Sequence, residues 1–342
     1  MNMILSLCCL TSFAAPQGPE IQAVSANTQT GFTVPLKFRG TRKWKVQLPA
    51  ERWSTVGTGF DFSQTLGKAF KTTLEGTRLQ IDSDGDGEVD VSVEGKTAFV
   101  TMRTGSSAYA VRLQNTTGWK FAPGGYLTGK VKGQKIRIID QNNNGSFSDV
   151  GEDALIVGTG RAATFLSEVI NLNGELYTIR VDQASSSLVC TPYEGPAGTL
   201  KLSCTTKGKV LSAILKSRDD KHSFDMSMAA QGMIVPVGAY SMICGELGLG
   251  KSRVKMATGR SKEIRIAKDQ EQSACWGGPV KAEFSYQRNA GKVHLEPNKV
   301  WYYGSTGETY ENWVPLGASP KFTIFDTETG KEVAQAHFPG SC

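Results

Sequence analysis

Apolar and polar residues alternate along most of this chain, in short runs broken by Gly, Asn, Asp and Pro. TRLQI (77–81), GQKIRIID (133–140), GELYTIRV (174–181) and GKVLSAILKS (208–217) show a two-residue period, which places successive side chains on opposite faces of a strand. After a Pro/Gly break at VPVGAY (235–240) the pattern returns in KEIRIA, VKAEFSYQR, KVHLE, KVWYYG and KFTIFD, with GG, NAG and ETG turns between them. The pattern predicts an all-β chain: a β-rich region over 16–164, a β-rich continuation over 165–235, and an immunoglobulin-like β-sandwich over 236–342. The one helix candidate is RAATFLSEVI at 161–170.

Twice the alternation gives way to an acidic loop and then resumes. In DSDGDGEVD, Asp82, Asp84, Asp86 and Asp90 occupy loop positions 1, 3, 5 and 9, with Gly87 at position 6. Alternate residues of a tightly turning loop direct their oxygens inward, and calcium is a hard cation that takes six to eight of them. Glu88, at position 7, donates its backbone carbonyl in such a loop. The second loop has Asp140, Asn142 and Asn144 at positions 1, 3 and 5 and Gly145 at position 6. Its remaining carboxylates come from Asp149, Glu152 or Asp153. Neither loop has a Glu at position 12, where Val93 and Gly151 stand, so neither is a helix-flanked EF-hand. The first Asp residues lie 58 positions apart, and each loop sits between strands, so the units read as an internal repeat. Four carboxylates against fewer predict tighter calcium binding at the Asp82 loop.

The first loop resembles the DxDxDGxxD strand–loop–strand calcium motif of integrin-type propeller blades. The second is similar to the DxNxNG loops of dockerin-type repeats. The chain as a whole resembles uncharacterised secreted bacterial β-rich proteins in which DxNxNG loops precede GEDAL-like strands, here Gly151 to Leu155. The resemblance implies extracellular residence and bound calcium, and no reaction. Dockerins flank their loops with helices to bind cohesins, whereas strands flank both loops here.

Composition narrows the setting. The first fifteen residues, MNMILSLCCLTSFAA, carry no charge and join an apolar run to a small-residue cleavage site, as in a secretory signal peptide without its basic n-region. Cys8 and Cys9 suggest a lipoprotein signal, against which Leu7 stands where a small residue is needed. The expected location is secreted or cell envelope, with no transmembrane segment. The net charge of +6 is spread along the sequence, with FRGTRKWK (38–45) its densest basic stretch, so no nucleic-acid partner is expected. Outside the leader, Cys190 and Cys204 form one candidate disulfide pair and Cys244 and Cys275 another, leaving Cys342 odd.

Two nucleotide motifs occur, and both lack their context. GELGLGKS (245–252) fits the P-loop, with Lys251 and Ser252 in the phosphate and magnesium roles, but no helix pattern follows. Gly158, Gly160 and Ala163 fit a dinucleotide fingerprint, yet no further βα units follow. HExxH and GxSxG are absent, and His222, His294 and His337 are isolated. The sequence therefore reads as a non-enzymatic, extracellular calcium-binding protein with a structural or adhesive role towards a cell-surface protein or polysaccharide. The alternatives are a carbohydrate-binding module using Trp301, Tyr302, Tyr303, Tyr310 and Trp313, and a secreted hydrolase with an unrecognised site.

Overall fold

A computed structural model describes residues 31–290, 292–311 and 321–337. The leader expected over 1–15, Trp313 and Cys342 lie outside these residues. The protein is all-β: 58% of the described residues are in strands, and their longest helical segments are too short to form a layer, so the sheets pack on one another. Among the described residues no helix is long and apolar enough to cross a membrane.

The first core is enclosed by four antiparallel sheets. In one, Thr164–Phe165, Ala154–Val157, Gln134–Ile139, Gly125–Val131 and Lys37–Gly40 lie side by side in that order. In another, Gly59–Asp61, Ala69–Glu75, Arg78–Ile81 and Val91–Val93 do the same. Thr97–Thr104, Ser107–Asn115 and Trp119–Pro123 continue as a meander, and Val169–Leu172, Glu175–Asp182 and Ser187–Pro192 close the layer with Phe32–Pro35. The inward residues of this alternation (Ile81, Met102, Val111, Ile136, Ile138, Leu188) are almost fully buried. Aromatic rings fill its centre: Phe62 stacks on Tyr109 at 3.9 Å between centroids, and Phe60 meets Phe121 edge-on at 5.1 Å.

The second core begins at Leu200 and includes Leu202, Leu215, Met242 and Trp276. Its strands form a small sheet of Met233–Pro236, Ala197–Cys204 and Glu271–Trp276, and a larger one built on Lys209–Ser217, Gly238–Leu249 and Ser252–Ala257. The residues of the first core run to Cys190, and those of the second start at Leu200.

Several local expectations change. RAATFLSEVI is not a helix: its residues supply the strand Thr164–Phe165 and the start of Val169–Leu172. Backbone pairing of Ala154 with Phe165 and Leu155 with Thr164 outweighs its local preference. Cys190 and Cys204 are not hairpin partners, because Cys190 is buried in the first core and Cys204 ends a strand of the second. All four described cysteines, Cys190, Cys204, Cys244 and Cys275, are free thiols. GELGLGKS forms the hairpin between Gly238–Leu249 and Ser252–Ala257, paired antiparallel. Its backbone returns along itself and offers no helix N-terminus to a phosphate. Gly158 to Ala163 likewise link two antiparallel strands.

Candidate metal centre

Both acidic loops close antiparallel hairpins, as their spacing implied. Ile81 pairs with Val91 across the first loop, and Ile139 with Ala154 across the second. The strand registers fix the loop ends, and the loops differ in what surrounds them.

In the first loop the ligand oxygens of Asp82, Asp84 and Asp86 gather within 4.8 Å of one another. Asp82 is buried and accepts the amides of Gly85 (2.6 Å) and Gly87 (3.0 Å), while Asp84 and Asp86 are exposed. Gly85 and Gly87 have φ of 74° and 101°, left-handed values that a side chain resists. Asp90 does not join the gathered oxygens. Its carboxylate accepts the amides of Ser83 (2.7 Å) and Asp84 (3.2 Å) and the Ser83 hydroxyl (3.0 Å), bonds that hold it below the usual aspartate range. Glu88 is exposed and contributes its amide to Asp86 at 2.8 Å. A cation already touches this loop: the Lys68 ammonium donates to the carbonyls of Asp84 (2.7 Å) and Gly85 (3.1 Å).

The second loop is sunk into the first core. Asp140 is fully buried and accepts the amides of Asn143 (2.7 Å), Asn144 (3.2 Å) and Gly145 (2.7 Å), together with the Tyr109 hydroxyl at 2.6 Å. The Phe62–Tyr109 stack carries that hydroxyl to the loop. Gly145 has φ of 81° and lies so close to Phe62 that a Cβ would sit 3.1 Å from its Cα, so the turn admits only glycine without strain. Asp149 is half-buried and accepts from the carboxamides of Asn142 (3.2 Å) and Asn144 (2.6 Å). Asp153 is fully buried: its Oδ2 accepts the Asp149 amide at 3.0 Å, and its Oδ1 has no hydrogen-bond partner. Glu152, the third candidate, is exposed and pairs with Arg52 at 2.9 Å.

The electrostatics of this loop are unbalanced. Among the described residues no Lys or Arg forms an ion pair with Asp140, Asp149 or Asp153. Burial pushes Asp140 up to about 6 against the pull of its four hydrogen bonds. Burial, then the charge of Asp140, push Asp153 up to about 9. A divalent ion among these oxygens would supply the missing positive charge.

Sequence spacing found the loop positions but not Tyr109, nor Gln183, whose carbonyl oxygen accepts the hydroxyls of Ser146 (2.9 Å) and Ser148 (3.0 Å). The other candidate chemistry is dispersed. Trp301 is exposed while Tyr310 is buried in the second core, so the aromatic stretch divides between surface and interior. Ser217 bonds to Asp219 (2.6 Å) and to the backbone amide of His222 (2.9 Å), an Asp-turn arrangement. No protein-family model matches the chain, and neither the curated proteins nor the solved structures include a match to it.

Proposed function

We propose that this chain is an extracellular calcium-binding protein with a structural or adhesive role, in which the ion stabilises the fold and the Asp140–Asp153 loop is the principal site. One observation carries the reading: Asp153 Oδ1 is buried without a hydrogen-bond partner near the equally buried Asp140, and among the described residues no cationic side chain pairs with either. Leaving a charge unpaired in an interior is costly, and the usual remedies are a counter-ion, a proton or a metal. The side-chain oxygens of Asn142 and Asn144, which accept the amides of Asn144 (3.2 Å) and Ser146 (2.8 Å), and the Asp149 carboxylate are hard donors of the kind calcium takes, although among the described residues only Asp82, Asp84 and Asp86 gather their oxygens within 4.8 Å. The Asp82 loop is the second, weaker site in this account, because most of its carboxylates are exposed and Lys68 already lies against it. That order reverses the one expected from counting charges. Export rests on the leader pattern of residues 1–15, and the sheets beyond residue 197 fit an immunoglobulin-like sandwich in that two of them share one core.

Calorimetric titration of metal-stripped protein with calcium tests the assignment. The expected result is two events, the tighter lost in Asp153→Asn and the weaker lost in Asp82→Ala. No binding heat in protein verified to be metal-free overturns the calcium assignment, and loss of the tighter event in Asp82→Ala restores the charge-count order.

A further inference from the structure

A cleft of about 1130 Å³ is bordered by Val91, next to the first acidic loop, and Phe147, in the second, and its lining among the described residues includes no carboxylate. Its charged lining consists of Lys37, Arg42 and Arg103, all exposed. None of the three forms an ion pair or a side-chain hydrogen bond among the described residues. Three unpartnered cations facing one concavity form an anion-attracting field, stronger there than on an open surface because the walls exclude solvent. The remaining polar lining is six hydroxyls and two carboxamides, groups that both donate and accept. Phe99, Thr101 and Arg103 alternate along the strand Thr97–Thr104 and share one face, so an exposed ring, a hydroxyl and a guanidinium stand in line.

We propose that this cleft binds an anionic saccharide, a polymer of sugar rings bearing carboxylate or sulfate groups. The guanidiniums pair with those groups, the hydroxyls and carboxamides replace water around the ring hydroxyls, and Phe99 offers a flat apolar face to a ring. Single-stranded nucleic acid fits less well, since it needs successive stacking platforms and the cleft has one exposed ring. An acidic peptide would leave most of the hydroxyl lining unused. The walls are tied to both loops: the Arg103 amide donates to the Ser83 carbonyl at 2.9 Å, and Gln183 holds Ser146 and Ser148. The binding groups themselves are not calcium ligands, so the inference goes beyond the calcium reading and does not rest on it.

The test titrates the full chain, in calcium and in chelator, with a galacturonate hexamer as the carboxylate source and a heparin hexamer as the sulfate source. Maltohexaose, a thymidine hexanucleotide and hexaglutamate are the comparison probes. At least one anionic saccharide should bind, more weakly as salt rises, with affinity reduced at least about tenfold in the Lys37→Ala/Arg42→Ala/Arg103→Ala variant. Lys207→Ala, outside the cleft, should bind as the parent does. Binding seen only in calcium supports the proposal if the triple variant abolishes it, and overturns it if the variant binds equally, because the ion alone then bridges the sugar. Absence of binding by both anionic saccharides, or tighter binding of the hexanucleotide or hexaglutamate, also overturns it.

Discussion

Asp140→Ala should lower stability by about 3–5 kcal/mol in chelator, before calcium enters the comparison. Asp140 accepts four hydrogen bonds, from the amides of Asn143, Asn144 and Gly145 and from the Tyr109 hydroxyl. Tyr109, Asn143 and Gly145 are buried, so alanine strands donors that water does not readily reach. Each orphaned buried donor costs roughly 1–3 kcal/mol, and the sum falls short of additive because the turn relaxes. Asp82 in the first loop accepts two amides, from Gly85 and Gly87, next to solvent, so Asp82→Ala should cost about 1 kcal/mol. Denaturant midpoints of the two variants in chelator measure the difference. Equal losses would show that burial of the second loop confers no special weight on Asp140.

The second large effect concerns calcium itself. Asp153→Asn should make the metal-free protein more stable than the parent at neutral pH, matching it only near pH 4, yet weaken calcium binding at the tighter site at least about tenfold. Burial first, then the Asp140 charge, push the Asp153 carboxyl up to about 9, so in the folded protein it is protonated at neutral pH and Asn is a close substitute, whereas in the unfolded chain Asp153 ionises and Asn does not. Calcium requires the ionised form and must expel that proton. The sign follows from the raised folded-state value. In metal-free protein the contribution of Asp153 is fully present below its unfolded value near 4, and is lost as pH rises towards about 9. Asp140, raised to about 6, adds to the acidic part of that window. Calcium affinity should move the other way, tightening from pH 6 to pH 8 in the parent and much less in Asp153→Asn. Titrations at the two pH values compare them, and a pH-independent affinity in the parent would separate Asp153 from the ion.

Much of this arrangement is legible in the sequence because it is local. Alternating runs identify the strands, and the spacing of Asp82 to Asp90 and of Asp140 to Gly145 identifies turns between paired strands, as the Ile81–Val91 and Ile139–Ala154 registers show. What escapes a linear reading is contributed from a distance. Tyr109 and Phe62 come from other strands and turns, and they convert an Asn-rich turn with few charges into a buried pair of carboxylates. Charge count therefore ranks the loops one way and burial the other. RAATFLSEVI shows the same limit: its apolar residues at 162, 163, 165, 166, 169 and 170 fit a helical period, but hydrogen bonding to Ala154–Val157 draws the segment into a sheet. The P-loop match fails for an equivalent reason, since GxxxxGKS specifies residue types but not the direction in which the next element leaves.

Calcium stabilisation of this fold is measured by calorimetric melting of the metal-stripped protein in chelator and again in excess calcium. An ion that binds only the folded state adds RT ln(1 + [L]/Kd), about 2.7 kcal/mol at a hundredfold excess over Kd. For a chain of 342 residues that corresponds to a rise in Tm of roughly 3–8 °C. Such a rise is expected in the parent and is lost in Asp153→Asn. Identical melting of the parent in chelator and in calcium would contradict calcium stabilisation.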